Sequence, residues 1–348
     1  MSETQRNNLE RAIERMPKAE LHVHLEGSIS SKTIEKLAQK NSVDLGRESH
    51  RQSGRGYGHL INFLDDYRLR CRCLRSPEDF KAACVDVLEN LRSQHVRYAE
   101  LTMAPTVHRL NGLSMDDIMP GLEAGVKAAS GNGNIEVRFI LDVGRQFGQD
   151  HAWQTVRDAA RHQASGVIAL GLGGDEIHYS PELYVEQFAW ARKQGLHVVA
   201  HAGEVGGPSS VWGAVKSLRA ERIGHGLSAR GDDELLEYLR IARIPVEMCP
   251  TSNVQTGAIR SYSEHPLPLF LRRGLLVTLN SDDPAMFGAS LTHEYKVCHE
   301  RLGLGWEEIK MLGLNAVRGS FLPDLDKQRL LEDFERELAR IEDEERLA

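Results

Sequence analysis

Residues 18–28 read KAELHVHLEGS. Apolar and polar side chains alternate along this segment until a glycine, a pattern that predicts a short strand ending in a tight loop. Successive side chains of a strand point to opposite faces, so His22 and His24 project from the same face. Two imidazoles at one strand end supply half of a metal site. A His-x-His pair is equally typical of hydrogen-bonded core or surface histidines. The residues at the ends of the other predicted strands must therefore decide between the two interpretations.

Further along the chain, apolar runs of strand length alternate with segments of helical spacing. Seven more strands are predicted, at residues 96–102, 137–142, 167–172, 197–201, 222–225, 244–249 and 275–280. Helices are predicted to follow these strands, at residues 115–129, 151–163, 181–194, 210–218, 232–241, 266–273 and 291–301. The alternation indicates the α/β class, and eight strands predict a closed (β/α)8 TIM-type barrel with additional peripheral helices. An open doubly wound sheet is the rival, but no Gly-x-Gly-x-x-Gly turn follows the first strand.

The N-terminal part of the chain is less regular. Residues 1–17 predict a helix closed by Pro17, and the polar, glycine-containing residues 47–56 predict a mobile loop. The apolar residues 60–64 fit core packing and the inner face of a lid equally well. With no internal repeat and no linker in the sequence, we expect a single domain over residues 1–348.

The composition limits the classes of partner. A net charge of −7 disfavours nucleic acid, because phosphate binding needs a concentrated basic face. No apolar run approaches the ~20 residues of a membrane span, and no secretory signal opens the chain. The five cysteines are scattered, which favours reduced thiols over a disulfide framework. We therefore expect a cytoplasmic protein, with its oligomeric state left open.

Polar residues that suit catalysis follow six of the eight predicted strands. In a barrel of this type the chemistry lies at the C-terminal ends of the strands. Besides the two histidines of the first strand, those ends read GLGGDE at 171–176, HAGE at 201–204, GHG at 224–226, CPTSN at 249–253 and NSDDP at 280–284. Three histidines and an aspartate, with a further histidine and an acid beside them, match a catalytic zinc site.

Each of these residues also has a structural interpretation. His201 and His225 can be packing residues, and either Asp282 or Asp283 can cap the helix that follows. Adjacent carboxylates that point in different directions favour a split role, one on a metal and one on a substrate. The remaining histidines are interpreted as surface or packing residues: His50, His59, His95, His108, His151, His162, His178, His197, His265, His293 and His299.

Together these motifs resemble the adenosine deaminase family of the amidohydrolase superfamily. The resemblance runs in order from about residue 16 to residue 322 and includes the segments HVHLEGS, HAGE, RIGHG, CPTSN and SDDP. It implies a (β/α)8 barrel that hydrolytically deaminates a small purine substrate with one zinc ion per chain. The implied zinc ligands are His22, His24, His201 and Asp282.

The resemblance also implies roles in the reaction. Glu204 would protonate N1 of a 6-aminopurine as general acid, which requires a raised pKa. His225 and Asp282 would orient and deprotonate the water that attacks C6, and ammonia would leave. Asp283 would hydrogen-bond N7, and the backbone N–H of Gly174 would meet N3.

Two positions depart from the pattern of family members that act on adenosine. Those members typically carry aspartate where this chain has Glu26, a residue near the ribose, and where it has Gly171. One extra methylene at Glu26 shifts a hydrogen-bonding group by about an ångström, enough to change which substituent fits. The Asp-Ser-x-Glu segment associated with adenine deaminases is replaced by GGDE at 173–176. Adenosine is therefore the first predicted substrate, with adenine, aminodeoxyfutalosine or methylthioadenosine as alternatives.

Two other functions are weighed against deamination. A two-metal amidohydrolase needs a bridging lysine or glutamate after the fourth strand, where Glu176 is the only candidate. A non-catalytic metal-binding or purine-binding relative is disfavoured by the intact acid, the intact ligands and the pair Asp282-Asp283.

Overall fold

The computed structural model describes residues 3–46, 57, 60–129 and 135–347. Eight parallel strands are hydrogen-bonded in chain order. They are β1 (Lys18–His24), β2 (Val96–Met103), β3 (Glu136–Gly144), β4 (Val167–Gly173), β5 (His197–Ala202), β6 (Arg222–His225), β7 (Val246–Met248) and β8 (Val277–Leu279). The predicted (β/α)8 TIM-type barrel is confirmed.

The barrel closes beside the histidine pair. Val23 of β1 bridges Asp282, the third residue after β8. The backbone N–H of His24 donates to the carbonyl oxygen of Asp282 at 2.8 Å, and the N–H of Asp282 donates to the carbonyl oxygen of His22 at 3.1 Å. The first and last strands therefore meet through the residues that were predicted to bind metal.

Helices surround the barrel and cover its strand ends. In the described residues they are α1 (Glu3–Arg15), α2 (Leu25–Ser28), α3 (Ser31–Lys40), α4 (Leu60–Cys71), α5 (Pro77–Ser93), α6 (Pro105–Leu110), α7 (Met115–Ala129), α8 (Gln149–Arg161), α9 (Val185–Lys193), α10 (Pro208–Gly213), α11 (Asp233–Ile241), α12 (Pro250–Gln255), α13 (Leu267–Arg272), α14 (Pro284–Phe287), α15 (Leu291–Glu300), α16 (Trp306–Gly319) and α17 (Asp324–Glu345). None of them is both long and apolar enough to cross a membrane.

The structure corrects several details of the prediction. β1 does not end in a tight loop, because it runs directly into the helical turn α2. The helix predicted at 210–218 divides into α10 and a π-helical segment, Ala214–Leu218. β7 and β8 are shorter than predicted, with three residues each. α5 begins after an N-cap serine, because the side chain of Ser76 accepts from the N–H of Asp79.

The barrel strands are buried on both faces, as parallel strands between a filled interior and a ring of helices must be. Part of that interior is charged. The Arg222 guanidinium contacts Glu100 Oε2 and Glu247 Oε1, at 2.5 Å each. Paired charges are the tolerated form of buried ionised groups, so these three residues act as one unit in the barrel floor.

A small apolar cluster lies over the C-terminal mouth, apart from the main core. It contains Phe63, Tyr67, Met286 and Phe287, and the rings of Phe63 and Phe287 stack with centroids 5.2 Å apart. The apolar residues predicted at 60–64 therefore include Phe63, which packs in this cluster. The loop predicted at 47–56 lies outside the described residues, and the single domain and cytoplasmic location stay predictions.

Candidate active site

A cavity of about 930 Å³ opens at the C-terminal mouth of the barrel. Most of the predicted site residues line it, although they come from distant parts of the sequence. They are His24, Gly174, His201, Glu204, His225, Asp282 and Asp283. The parallel strands bring these residues together because all of the strands end at the same mouth.

The four predicted metal ligands form one cluster of contacts around Asp282 and the neighbouring histidine rings. Asp282 Oδ1 lies 3.5 Å from His22 Nε2 and 3.3 Å from His24 Nε2. His24 Nε2 is also 3.3 Å from His201 Nε2. These separations are close to the roughly 3.4 Å expected between ligand atoms that each lie about 2 Å from a shared tetrahedral metal ion.

Outer hydrogen bonds fix which nitrogen of each ring faces the centre. His22 Nδ1 donates to Glu247 Oε2 at 2.9 Å, and His201 Nδ1 donates to the carbonyl oxygen of Leu172 at 3.1 Å. Both Nε2 lone pairs are thereby directed inward, and buried His22 Nε2 has no hydrogen-bond partner in the described structure. Carboxylate and carbonyl partners of this kind accompany metal-binding histidines. The residues therefore fit a bound divalent metal ion.

The two aspartates after β8 differ in their contacts and in the direction of their pKa shifts. Ser252 Oγ donates to Asp282 Oδ2 at 2.5 Å, which leaves Oδ1 for the histidines. Burial alone raises the pKa of Asp282, but its contacts with His22 and His24 hold that pKa well below its usual range. Burial and the charge of Asp282 raise the pKa of Asp283 well above its usual range.

Asp283 has a place in the site because residue 27 is a glycine. A Cβ atom at Gly27 would lie only 1.7 Å from Asp283 Oδ1. That oxygen is buried and has no hydrogen-bond partner among the described residues. Since Asp283 lines the cavity, a ligand is the available source of a partner.

Glu204 meets the physical requirement for a general acid at neutral pH. Burial, followed by the charges of Asp282 and Glu176, raises the pKa of Glu204 to about 8. Thr256 Oγ1 donates to Glu204 Oε1 at 3.4 Å, and Glu204 Oε2 lies 3.6 Å from His225 Nε2. The carboxyl group is therefore largely protonated at pH 7 and faces the cavity beside the metal-ligand cluster.

Glu176 holds the loop that carries Glu204. Its Oε2 accepts the backbone N–H groups of Glu204, Val205 and Gly206 at 3.1, 2.9 and 2.8 Å, and its Oε1 accepts that of Gly203. A carboxylate with four amide donors is engaged in fixing the backbone. The only candidate for a bridging ligand of a two-metal centre is thus used for another purpose.

A chain of hydrogen bonds sets the tautomer of His225. The backbone N–H of Leu267 donates to His265 Nδ1 at 3.2 Å, so His265 Nε2 carries the proton donated to Asn253 Oδ1 at 3.2 Å. Asn253 Nδ2 in turn donates to His225 Nδ1 at 3.0 Å. Burial lowers the pKa of His265 to about 3 and that of His225 to about 4, so both rings are neutral. In this tautomer His225 presents Nε2–H to the cavity, and its ring also lies within the His/Asp group that could hold a metal ion.

Glu26, which was predicted to lie near the ribose, is engaged by protein donors. Glu26 is fully buried and does not line the cavity. Its Oε1 accepts from His108 Nε2 at 2.7 Å and from the N–H of Ala104 at 3.1 Å, while its Oε2 accepts from Tyr67 at 2.9 Å. With three protein donors, this carboxylate ties α2 to α4 and α6 and has little capacity left for a substrate.

Sequence analysis missed three residues of this site. His108 and His265 were interpreted as surface or packing residues, but both are buried members of the networks around Glu26 and His225. Asp142 lines the cavity and was not singled out. Its only signal in the sequence was its position at the end of the apolar strand predicted at residues 137–142.

Comparison with known proteins agrees with this geometry. The profile of the family described as "Adenosine deaminase" matches residues 17–337. The chain belongs to the adenosine deaminase family. It is therefore a metal-dependent hydrolytic deaminase of adenosine-like purines, and its His/Asp cluster is a site that can bind the metal.

Relatives within the adenosine deaminase family differ in their substrates. An aminodeoxyfutalosine deaminase of Streptomyces coelicolor is 38% identical over 92% of this chain and 84% of its own. An adenosine deaminase of Klebsiella pneumoniae is 33% identical over 91% of this chain and 97% of its own. The crystal structure of an adenine deaminase from Arthrobacter aurescens superposes with a TM-score of 0.86 at 30% identity, over 92% of this chain and 98% of that one.

Proposed function

We propose that the chain is a zinc-dependent deaminase of 6-aminopurine nucleosides. The proposal depends on one observation: Asp282 and three histidines form one cluster of contacts, and beside it lies Glu204, a carboxyl group whose pKa burial raises to about 8. An acid kept protonated next to a metal-ligand cluster suits hydrolysis at a ring carbon whose neighbouring nitrogen must be protonated.

The proposed roles follow from the positions of the residues. His22, His24, His201 and Asp282 would hold one zinc ion, which supplies Lewis-acid activation of a water molecule when bound. Glu204 donates its proton to N1, which makes C6 electrophilic. His225 donates from Nε2 to the attacking oxygen and orients it, and the Asp282 carboxylate accepts the proton that the water loses.

Charge and atoms balance in this scheme. The water oxygen bonds to C6, the proton held by Asp282 passes to the amino group, and the C6–N bond breaks to release ammonia. The proton of the C6 hydroxyl returns to Glu204, which regenerates the acid and leaves a 6-oxopurine with a proton on N1. Asp283, whose pKa is raised by burial and by Asp282, is protonated and donates to N7. The backbone N–H of Gly174 donates to N3, and its φ of +92° is a conformation that favours glycine.

Within this class we propose a nucleoside that carries a bulky aromatic substituent at C5′, such as aminodeoxyfutalosine. The outer wall of the cavity contains Phe63, Leu64, Val107 and Phe147, so it suits an apolar substituent. Glu26, the predicted sugar contact, is engaged by the protein. The 38% identical relatives named aminodeoxyfutalosine deaminase add support. Adenosine is the second candidate, because the Klebsiella pneumoniae relative is named adenosine deaminase.

A screen of ammonia release tests the proposal. The purified protein, with one equivalent of zinc, is assayed on adenosine, 2′-deoxyadenosine, adenine, methylthioadenosine and aminodeoxyfutalosine. We expect kcat/KM to be at least tenfold higher for a 5′-modified nucleoside than for adenosine, and lowest for adenine. Higher activity on adenosine than on either 5′-modified nucleoside would refute the substrate assignment, and no ammonia from any compound would refute the deaminase itself.

A further inference from the structure

A carboxylate of β3 occupies space that β4 leaves open. Asp142 and Gly171 are register partners in the sheet, as are Gly144 and Gly173. A Cβ atom at Gly171 would lie 1.7 Å from Asp142 Oδ1, and one at Gly173 would lie 2.5 Å from Asp142 Oδ2. The two β4 glycines thus make room for Asp142, and a side chain at position 171 cannot coexist with it as placed.

The position of Asp142 beside the β4 glycines explains a departure noted in the sequence. Gly171 is one of the two positions at which this chain departs from the pattern of family members that act on adenosine, which typically carry aspartate there. Only one carboxylate fits the space between β3 and β4, because the two candidate side chains overlap there. In this chain the carboxylate is therefore supplied from β3 instead of from β4.

The Asp142 carboxylate has no hydrogen-bond donor in the described part of the protein. It lines the cavity and is only 8% exposed. Its nearest ring nitrogen, His201 Nδ1, lies 3.9 Å from Oδ2, which is too far for a hydrogen bond, and that nitrogen already donates to Leu172. A buried carboxylate without a donor is costly, so the missing donor is expected to come from what fills the cavity.

We propose that Asp142 is a substrate-binding residue that accepts a hydrogen bond from a sugar hydroxyl of the nucleoside. This inference rests on the proposed function. The polar atoms of the purine edge are already assigned to Glu204, Asp283 and Gly174, and the amino group is the one that leaves. The donors that remain on a nucleoside are its sugar hydroxyls. Asp142 also lies against Gly173, next to the residue assigned to N3, and only C4 separates N3 from N9, which carries the sugar.

The first test compares Asp142→Ala with the wild-type chain on adenosine and its 2′-deoxy, 3′-deoxy and 5′-deoxy analogues. Loss of a charged acceptor should raise KM for adenosine about 10- to 100-fold while kcat changes less than about threefold. For the analogue that lacks the contacted hydroxyl, KM should be nearly the same in both proteins. Asp150→Ala, which removes an exposed carboxylate at the start of α8, is the matched control and should behave as wild type.

The second test moves the carboxylate to the other strand. Gly171→Asp alone should disturb the site, because its side chain overlaps Asp142. Gly171→Asp in the Asp142→Ala background should recover at least tenfold of the lost kcat/KM for adenosine. Zinc content, measured by metal analysis, should stay near one per chain in Asp142→Ala and in the double variant, which separates sugar binding from damage to the metal cluster.

Three outcomes would overturn the inference. They are equal KM increases on adenosine and all three deoxy analogues, loss of zinc from Asp142→Ala, and a fall in kcat with unchanged KM. Wild-type selectivity in Asp142→Ala would overturn it as well and would leave the proposed deaminase intact. A wild-type chain that releases no ammonia from any aminopurine would instead overturn both.

Discussion

At the residue scale, the chemistry depends on one acid whose surroundings keep it protonated. Glu204 is flanked by the negative charges of Asp282 and Glu176, and burial removes the water that would otherwise stabilise its ionised form. The resemblance of the HAGE segment to the adenosine deaminase family implied Glu204 as an acid with a raised pKa, and the direction of that pKa is confirmed. The sequence did not predict Glu176 as the residue that fixes the Glu204 backbone, since four amide contacts depend on a loop geometry that spacing does not encode.

Replacing Glu204 by glutamine should separate catalysis from metal binding. Glu204→Gln keeps the shape of the side chain and removes the transferable proton, so ammonia release should fall about 10²- to 10⁴-fold. Zinc content should stay near one per chain by metal analysis. A variant with wild-type turnover would refute the assignment of Glu204 as the acid.

The pH profile should have its alkaline limb set by the same group. The reaction needs Glu204 protonated, and its pKa is about 8, so the proton is present below that pH and is lost above it. We expect kcat/KM to fall tenfold per pH unit once the pH is well above 8. An alkaline limb that begins at pH 10 or higher would assign it to another group.

His225 offers a second residue-scale test, because its tautomer is set from outside the cavity. Asn253→Asp replaces the donor at His225 Nδ1 with an acceptor of the same size, so the ring should move its proton to Nδ1 and lose the Nε2–H that faces the cavity. We expect kcat to fall at least 10²-fold. The control Asn315→Asp changes another buried amide away from the cavity and should alter thermal stability more than kcat.

At the element scale, close contacts between strand ends set the shape of the metal site. Gly224 of β6 allows His22 of β1 to lie across the barrel, since a Cβ atom at position 224 would be 2.7 Å from His22 Cε1. Sequence periodicity predicted the strands and most of the helices that follow them, because alternation and helical spacing are local signals. It missed α3 and α4, and it predicted a loop where α2 begins, because tertiary contacts at the barrel mouth decide these elements.

Gly224→Ala should therefore weaken the metal site through β6. The added methyl group would displace the His22 ring and break its alignment with Asp282, which should lower zinc affinity about 10- to 100-fold, as loss of an outer-shell contact does. Competition with a chelator measures this affinity. Gly231→Ala is the matched control, because a Cβ atom there has no described atom within 4 Å, and its zinc affinity should equal that of wild type.

At the scale of the whole molecule, the metal site also closes the barrel. In the described part of the chain, β1 is bridged to the segment after β8 at Asp282, so the proposed ligands of one ion come from both sides of that junction. The general architecture was predictable because eight alternating units leave few other arrangements. The partners of Glu26 were not, because His108 and Tyr67 are far from it in sequence and no local pattern links them.

Removal of zinc should therefore destabilise the entire fold. A ligand that binds only the folded state adds about 2.7 kcal/mol at a hundredfold excess over its Kd, which corresponds to a decrease of several degrees in Tm on chelation. Differential scanning calorimetry with and without chelator measures this shift, and Glu204→Gln should show the same shift as wild type. An unchanged Tm after complete metal removal would contradict a role for the ion in barrel closure.

The engagement of Glu26 by Tyr67 and His108 has a consequence for how such enzymes diversify. Under the proposed function, the C5′ end of the sugar would then be contacted by cavity residues of α4 and α6. These two helices contribute none of the proposed metal ligands. Mutations in α4 and α6 can therefore change substrate selectivity while the reaction centre stays active. A deaminase organised in this way can evolve selectivity for a new nucleoside substrate without an inactive intermediate.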